Sequence, residues 1–448
     1  MTLLLALVRL AIAAALLWFA VDWRSPYFAS VRPWALCGLI VGPLIVALLE
    51  TWLLFSGRAG ARMARSVSAT TLALAALALG ATLAFEGQFR WMRHHVLAAD
   101  PQRLEALGRH VIVGYRDLAE LQGLIERRAV AGVFLGARNV RGKTIEEIRA
   151  LVAALQDTRR RQGLLPLWIA TDQEGGPVSR LSPPLARSAP LSELVEAHPD
   201  KSERAAAVQA LAARHGRELA DVGVNVNFAP VVDLNHRIVN PDDHLSRIHE
   251  RAISANPAVV TEVASRYCAG LHQAGVRCTL KHFPGLGRVF EDTHREGADL
   301  PVSVTELAAT DWVPFRALMQ ETDTFTMLAH VRLTALDRER PVSSSQPVVA
   351  GLVRGDWQHD GILVTDDFCM AAAYDARGGL AAASVGALNA GVDLILVSYD
   401  PDQLYPVMYA LLQAHAQARL RQDVLQASDQ RLARSAGAHR AATAVTPP

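Results

Sequence analysis

The chain has 448 residues, enough for two average domains or for one large barrel. Its formal net charge is +1, so no global electrostatic argument supports binding to nucleic acid. Hydrophobic residues make up 51% of the chain, and this excess is concentrated before residue 86.

Three long apolar runs occupy the N-terminal region: "LLLALVRLAIAAALLWFAV", "WALCGLIVGPLIVALLETWLLF" and "SVSATTLALAALALGATLAF". Each is close to the ~20 residues that a helix needs to cross a bilayer. No good small-residue cleavage site follows the first run, which argues against a removable signal peptide. We therefore predict a membrane region over residues 1–88 with about three transmembrane helices. Two helices, or a buried soluble hairpin, are the alternatives. Glu50 in the second run then requires a polar partner or an interfacial position.

The arginines that flank these runs bear on membrane orientation. The loop between the second and third runs carries Arg58, Arg62 and Arg65, against two arginines in the loop before it. The positive-inside rule then places the 58–65 loop in the cytoplasm and the rest of the chain outside, as in a bacterial inner-membrane protein. Arg90 and Arg93, just after the third run, oppose this orientation.

Residues 89–425 alternate short apolar strand patterns with amphipathic helix patterns. The predicted strands are "HVIVG" (110–114), "GVFLG" (132–136), "LPLWIAT" (165–171), "VNVNFAP" (224–230), "CTLKH" (278–282), "FTMLAH" (325–330), "GILVTD" (361–366) and "DLILVS" (393–398). Eight such units predict an α/β fold, a (β/α)8 TIM-type barrel. A doubly wound open sheet is the alternative, but no GxGxxG follows any strand. Residues 426–448, rich in Ala and Pro, are predicted to be a disordered tail.

Ionisable residues end five of these apolar strands, although burying such groups is costly unless they are paired or functional. In a barrel they would converge on the rim that holds active sites. They are Asp172 and Arg180 after the third strand, Asp233 after the fourth, Lys281, His282, Asp292 and His294 after the fifth, His330 after the sixth, and Asp366 after the seventh.

Motifs that are absent from the sequence exclude several kinds of chemistry at this rim. The chain has no HExxH, CxxC or P-loop, so metalloprotease, structural zinc and nucleotide-binding functions lack support, and no cofactor is predicted. A metal site built from the histidines stays an alternative, although a His-x-His at the first strand is absent. The remaining residues provide a carboxylate nucleophile, Asp366, and a separate proton donor, which are the two groups that a retaining glycosidase needs.

Cys268 and Cys278 could form a disulfide in an oxidising compartment, but two buried thiols are favoured.

The segments "IATDQEGGPVSRL", "NVNFAPVVDLN", "RAISANP", "KHFPGLGRVFEDTH", "MLAHV", "ILVTDDF" and "AGVDLILV" resemble family 3 glycoside hydrolases. The likeness is to the β-N-acetylglucosaminidase branch that acts on peptidoglycan fragments. It implies that Asp366 is the nucleophile, and that His294, with Asp292 as its partner, is the proton donor and acceptor. It also implies that N-acetylglucosamine is held by Asp172, Arg180, Arg251, Lys281 and His282.

The resemblance predicts a membrane-anchored retaining β-N-acetylhexosaminidase whose substrate is a muropeptide-like glycan. Two residues depart from the family pattern: Leu286 replaces the second histidine of KHFPGHG, and Pro177 replaces an arginine after the double glycine. Leu286 would alter loop closure, and Pro177 the aglycone side. The alternatives are a catalytically degenerate membrane glycan-binding protein and a β-glucosidase-like specificity.

Overall fold

The computed structural model describes residues 2–56, 62–320 and 324–444. The chain divides into two compact units, Met1–Ala98 and Ala99–Pro448. The boundary lies ten residues beyond the predicted one because the third N-terminal helix continues to Leu97.

The first unit consists of three long helices, Thr2–Asp22, Arg32–Phe55 and Arg62–Leu97, with a short 3-10 turn at Pro26–Phe28. All three are long and apolar enough to cross a membrane, which confirms the prediction of three such helices. Glu50 has the polar partner that its position required, since Arg9 Nε lies 2.6 Å from its Oε1. Arg58 lies outside the described residues.

The second unit contains a closed parallel barrel of eight strands, as predicted. Each strand pairs with its neighbours along the chain, and the eighth pairs with the first. The strands are β1 (Val111–Val113), β2 (Gly132–Phe134), β3 (Trp168–Thr171), β4 (Val226–Asn227), β5 (Arg277–Phe283), β6 (Phe325–Leu328), β7 (Leu363–Asp367) and β8 (Leu394–Val397).

Helices surround the barrel, and several begin at side chains that accept hydrogen bonds from the first free backbone N–H groups. Asp100, Asp117, Thr144, Asp200, Asn256 and Ser303 make such caps. The helices are Pro101–Gly108, Leu118–Glu126, Ala137–Val140, Ile145–Arg161, Leu191–Ala197, Lys201–Asp221, Ile248–Arg251, Pro257–Gln273, Val304–Ala309, Trp312–Leu318, Ala371–Tyr374, Gly379–Ala390, Leu404–Ala416 and Gln422–Ala444. Short 3-10 turns cover Val342–Ser344 and Pro401–Gln403, and a π-helix covers Pro347–Asp356.

Two small sheets lie outside the barrel. Gln173–Gly175 and Val178–Ser179 form an antiparallel hairpin directly after β3. Ala298–Leu300 and Val331–Leu333 pair in parallel and join the loops that follow β5 and β6. Both sheets therefore order loops at the end of the barrel where the predicted site lies.

The prediction of a disordered tail is wrong for residues 426–444, which belong to the helix Gln422–Ala444. Leu432 and Ala436 are buried in the same apolar cluster as inward side chains of the barrel strands. Arg431 Nε donates to Asp393 Oδ1 at 2.8 Å, just before β8. The helix therefore closes the barrel at the N-terminal ends of its strands, a non-local role that an Ala-rich composition does not reveal.

The preference for two buried thiols is also wrong, because Cys268 and Cys278 form a disulfide. The helix Pro257–Gln273 packs on β5 and brings the two Cα atoms to 5.3 Å, a normal separation for a disulfide. Cys37 and Cys369 are free.

Candidate active site

Four charged groups form a cluster where β3 and β5 end. Lys281 Nζ lies 2.7 Å from Asp172 Oδ1 and 2.6 Å from Glu174 Oε1, and its side chain is 2% exposed. Arg251 donates two hydrogen bonds to the carboxylate of Glu174, at 2.7 and 3.0 Å. Three predicted site residues, Asp172, Arg251 and Lys281, thus meet in one cluster. Lys281 bridges Asp172 and Glu174, and Glu174 bridges Lys281 and Arg251.

Glu174 was not selected from the sequence, although it lies within the motif "DQEGG". Burial would raise its pKa, but the charges of Arg251 and Lys281 lower that pKa to about 2. Conversely, burial would lower the pKa of Lys281, but Asp172 and Glu174 raise it. Glu174 and Lys281 are therefore both ionised at neutral pH. Such a cluster can present fixed donors and acceptors to the hydroxyl groups of a sugar.

His282 is held by Asp233, a fully buried carboxylate. Asp233 Oδ2 lies 2.7 Å from His282 Nδ1 and also accepts the His282 backbone N–H at 3.1 Å, while Oδ1 accepts the backbone N–H of Leu286 at 2.7 Å. Because a carboxylate only accepts hydrogen bonds, this geometry assigns the proton to Nδ1. The other ring nitrogen, Nε2, is 3.5 Å from Arg251 Nη2. His282 therefore joins the charged cluster through Arg251.

Asp366 lies in β7 near its C-terminal end. Desolvation would raise its pKa, but the nearby charges of His282, His330 and His294 lower it. Asp366 Oδ1 also accepts the backbone N–H of Asp367 at 2.8 Å. The carboxylate is therefore ionised, and the side chains that lower its pKa are imidazoles of β5 and of the loops that follow β5 and β6.

Asp292 and His294 form a hydrogen-bonded pair on the loop after β5. Asp292 Oδ1 lies 2.9 Å from His294 Nδ1 and also accepts the His294 backbone N–H at 3.0 Å. The side chain of Asp292 is 4% exposed and that of His294 is 35% exposed. Burial would raise the pKa of Asp292, but hydrogen bonds and the charge of His294 bring it to about 2. An ionised carboxylate thus orients an imidazole that is open to solvent on one side.

The loop that carries this pair is docked on the segment after β7. The backbone carbonyls of Thr293 and His294 accept the N–H groups of Ala372 and Ala371 at 3.2 and 3.1 Å. These bonds tie the loop to the strand end that bears Asp366.

A comparison with known protein families identifies the chain. Residues 102–435 match the model described as the glycosyl hydrolase family 3 N terminal domain. The chain belongs to this family. It is a glycoside hydrolase of the β-N-acetylhexosaminidase branch, as its sequence motifs predicted.

Similar family 3 proteins come from several bacteria. The chain is 32% identical over 297 residues to the β-hexosaminidase LpqI of Mycobacterium tuberculosis, covering 65% of this chain and 72% of that protein. It is 35% identical over 289 residues to a β-hexosaminidase of Xanthomonas axonopodis pv. citri, covering 64% and 82%. Among solved structures, a family 3 β-N-acetylglucosaminidase from Paenibacillus sp. superposes with a TM-score of 0.68 at 31% identity, covering 77% of this chain and 64% of that one.

The structure places one predicted family 3 residue outside the charged cluster. Arg180 donates its backbone N–H to the carbonyl of Asp172 at 2.9 Å, and its side chain is exposed. Among the described residues, no carboxylate pairs with its guanidinium.

No group of three or more His, Cys, Asp or Glu side chains in the described part of the chain is arranged to hold a metal ion.

The two departures from the family pattern have different surroundings. Leu286 is buried beside a cavity of about 20 Å³ that Ile238, Ile248 and Val289 also line. Its backbone N–H, which any residue except proline would supply, donates to Asp233. Pro177 is exposed in the turn of the hairpin after β3, beside a groove of about 630 Å³.

Proposed function

We propose that the chain is a membrane-anchored, retaining β-N-acetylhexosaminidase. It removes terminal β-linked N-acetylglucosamine from peptidoglycan-derived glycans. The observation that carries this proposal is that the loop bearing His294 is hydrogen-bonded to the segment that follows Asp366, in a barrel that also holds the Asp172–Lys281–Glu174–Arg251 cluster. The β-hexosaminidase names of the relatives support the choice of sugar.

The reaction has two displacement steps. In the first, Asp366 attacks the anomeric carbon while protonated His294 gives its proton to the glycosidic oxygen, which leaves with the bonding electron pair. In the second, neutral His294 takes a proton from water as the water oxygen attacks the same carbon and releases Asp366. The lowered pKa of Asp366 keeps the nucleophile ionised, and the ionised Asp292 stabilises the imidazolium in both steps.

The charged cluster holds the sugar in this mechanism. Lys281 and Arg251 donate hydrogen bonds to its hydroxyl and acetamido oxygens, and Asp172 and the Nε2 atom of His282 accept from its hydroxyl groups. Arg180 contributes from the exposed edge of the site. Because Lys281 and Arg251 are already fixed by Glu174, the site binds without first ordering two long side chains.

The N-terminal helices anchor the enzyme in a bacterial inner membrane, with the barrel outside the cytoplasm. Two observations support this orientation: the arginines of residues 58–65, between the second and third apolar runs, and the Cys268–Cys278 disulfide, which suits an oxidising compartment. Outside the membrane, the available glycan of the right chemistry is wall-derived. Protease digestion of the barrel in spheroplasts with an intact membrane tests the orientation; protection until the membrane is opened contradicts it.

The activity is tested with the full chain in detergent and an aryl N-acetyl-β-glucosaminide. We expect turnover that falls at least about 10³-fold in Asp366→Asn, since loss of a covalent nucleophile removes the main pathway. NMR should show the β-anomer as the first product. An α-anomer contradicts retention, binding without turnover supports the glycan-binding alternative, and preference for an aryl β-glucoside supports β-glucosidase-like specificity.

A further inference from the structure

Ser246 links the loop after β4 to the Asp292–His294 pair. Its Oγ lies 3.0 Å from Asp292 Oδ1 and 3.2 Å from His294 Nδ1, and the residue is 5% exposed. None of the sequence motifs contains it. Its hydroxyl therefore contacts both members of the proton-handling pair from a different part of the chain.

The direction of these hydrogen bonds follows from their chemistry. Ionised Asp292 can only accept, so the Ser246 hydroxyl donates to Asp292 Oδ1. The hydroxyl oxygen is then free to accept a hydrogen bond from the Nδ1–H of His294. That N–H is shared, because it also donates to Asp292 Oδ1. Both contacts place the fixed proton on Nδ1, so that Nε2 is the nitrogen that exchanges a proton with substrate.

Ser246 is itself fixed on both sides. Its backbone N–H donates to Asp243 Oδ1 at 2.8 Å, and Asp243 also accepts the N–H groups of Leu245 and Arg247. Its carbonyl accepts Arg251 Nη1 at 2.8 Å, and the same Arg251 is bound to Glu174. One residue thus connects the sugar-binding cluster to the loop that carries His294.

We propose that Ser246 is a positioning residue for the acid/base histidine. It holds the Asp292–His294 pair at a fixed distance and orientation relative to the charged cluster. This rests on the proposed function, in which His294 protonates the leaving group. Asp292 Oδ2 is buried and has no hydrogen-bond partner among the described residues, so the carboxylate depends on its Oδ1 contacts for orientation. Removing the hydroxyl frees the pair to rotate and lowers the fraction of molecules with His294 in place.

A leaving-group series measures this role, because a good leaving group departs without protonation and a poor one needs the acid. The readout is kcat/KM, which reports the first displacement, for a dinitrophenyl, a nitrophenyl and a phenyl N-acetyl-β-glucosaminide. For Ser246→Ala we expect a loss of about tenfold on the phenyl substrate, equivalent to about 1.4 kcal/mol. On the dinitrophenyl substrate the change should be less than about twofold. Ser246→Thr, which keeps the hydroxyl, should restore the phenyl rate.

Three further variants make the outcome decisive. Ser254→Ala removes a hydroxyl that accepts the backbone N–H of Asn256, and it should leave the whole series unchanged. Ser246→Cys replaces Ser246→Ala if the alanine variant does not fold, and should show a smaller loss of the same pattern. An equal loss on all substrates, or no loss, overturns the positioning role. His294→Ala should show the steepest series; if its series is flat, the assignment of His294 fails, and the role of Ser246 falls with it.

Discussion

The carboxylate of Glu174 lies 2.6 Å from the Lys281 ammonium group and also binds the guanidinium of Arg251. Glu174 is thus the centre of the cluster, with a cation on each side, although it is not assigned to hold the sugar directly. Its energetic role is to offset the cost of burying two positive charges.

Replacing Glu174 with glutamine should therefore weaken both stability and binding. Glu174→Gln leaves Arg251 and Lys281 with one fewer negative partner each, and we expect a loss of about 3 kcal/mol in the free energy of unfolding. KM for the aryl substrate should rise because both cations relax. Urea unfolding and steady-state kinetics measure the two effects. Glu339→Gln, at a surface ion pair, is the matched control and should change stability by less than about 1 kcal/mol.

The same carboxylate makes the free energy of unfolding of the catalytic domain depend on pH in the acid range. The pKa of Glu174 is about 2 in the folded protein against 4.5 ordinarily, so the folded state binds fewer protons than the unfolded state. Its contribution is fully present above about pH 4.5 and is lost as the pH falls towards 2. Urea unfolding between these pH values should show stability decreasing, with a shallower slope in Glu174→Gln. An identical slope in the two proteins contradicts this assignment.

Gly287, in the loop after β5, has no space for a side chain. A Cβ at this position would lie 1.8 Å from the carbonyl oxygen of Leu234, so the loop must move. Gly287→Ala should displace the Asp292–His294 pair and lower kcat/KM at least about tenfold. Gly123→Ala is the control, because a Cβ there meets nothing within 4 Å in a helix. It should raise stability by about 0.5–1 kcal/mol and leave kinetics unchanged.

Leu432 should be a core residue despite its position in an Ala-rich segment. Leu432→Ala removes buried methyl groups from the apolar cluster inside the barrel, and we expect a loss of about 2–4 kcal/mol. Leu336→Ala, at a 36% exposed leucine, should change stability far less. Thermal and urea unfolding compare the two variants. Equal effects would mean that the helix Gln422–Ala444 does not fill the barrel.

The disulfide predicts a difference between two alkylation experiments. Protein isolated from membranes and denatured without reductant should be modified at Cys37 and Cys369 only, whereas reduced protein should be modified at all four cysteines. Mass spectrometry of the peptides counts the modified residues. Four reactive thiols without reductant would show that the barrel matures in a reducing compartment, against the proposed orientation.

Sequence patterns predict strands well here because the barrel strands are buried on both faces and read as continuous apolar runs. They also predict residues such as Lys281 and Asp366, because each ends such a run. Glu174 lies beyond the end of β3, and Ser246 lies in a polar loop, so neither has a local signal of its partners. The pairing of Cys268 with Cys278 likewise depends on how a helix packs on β5, which spacing along the chain does not reveal.

The closure of the barrel has a consequence for the order in which this protein can fold. His110 Nδ1 contacts the Asp393 carbonyl, a hydrogen bond across 283 residues, and β1 pairs with β8 at the same place. During synthesis β1 must wait for nearly the whole catalytic domain to emerge, with one edge able to pair with other chains. Contacts of such long range form slowly, so we expect the folding of this domain to depend on chaperones that shield strand edges.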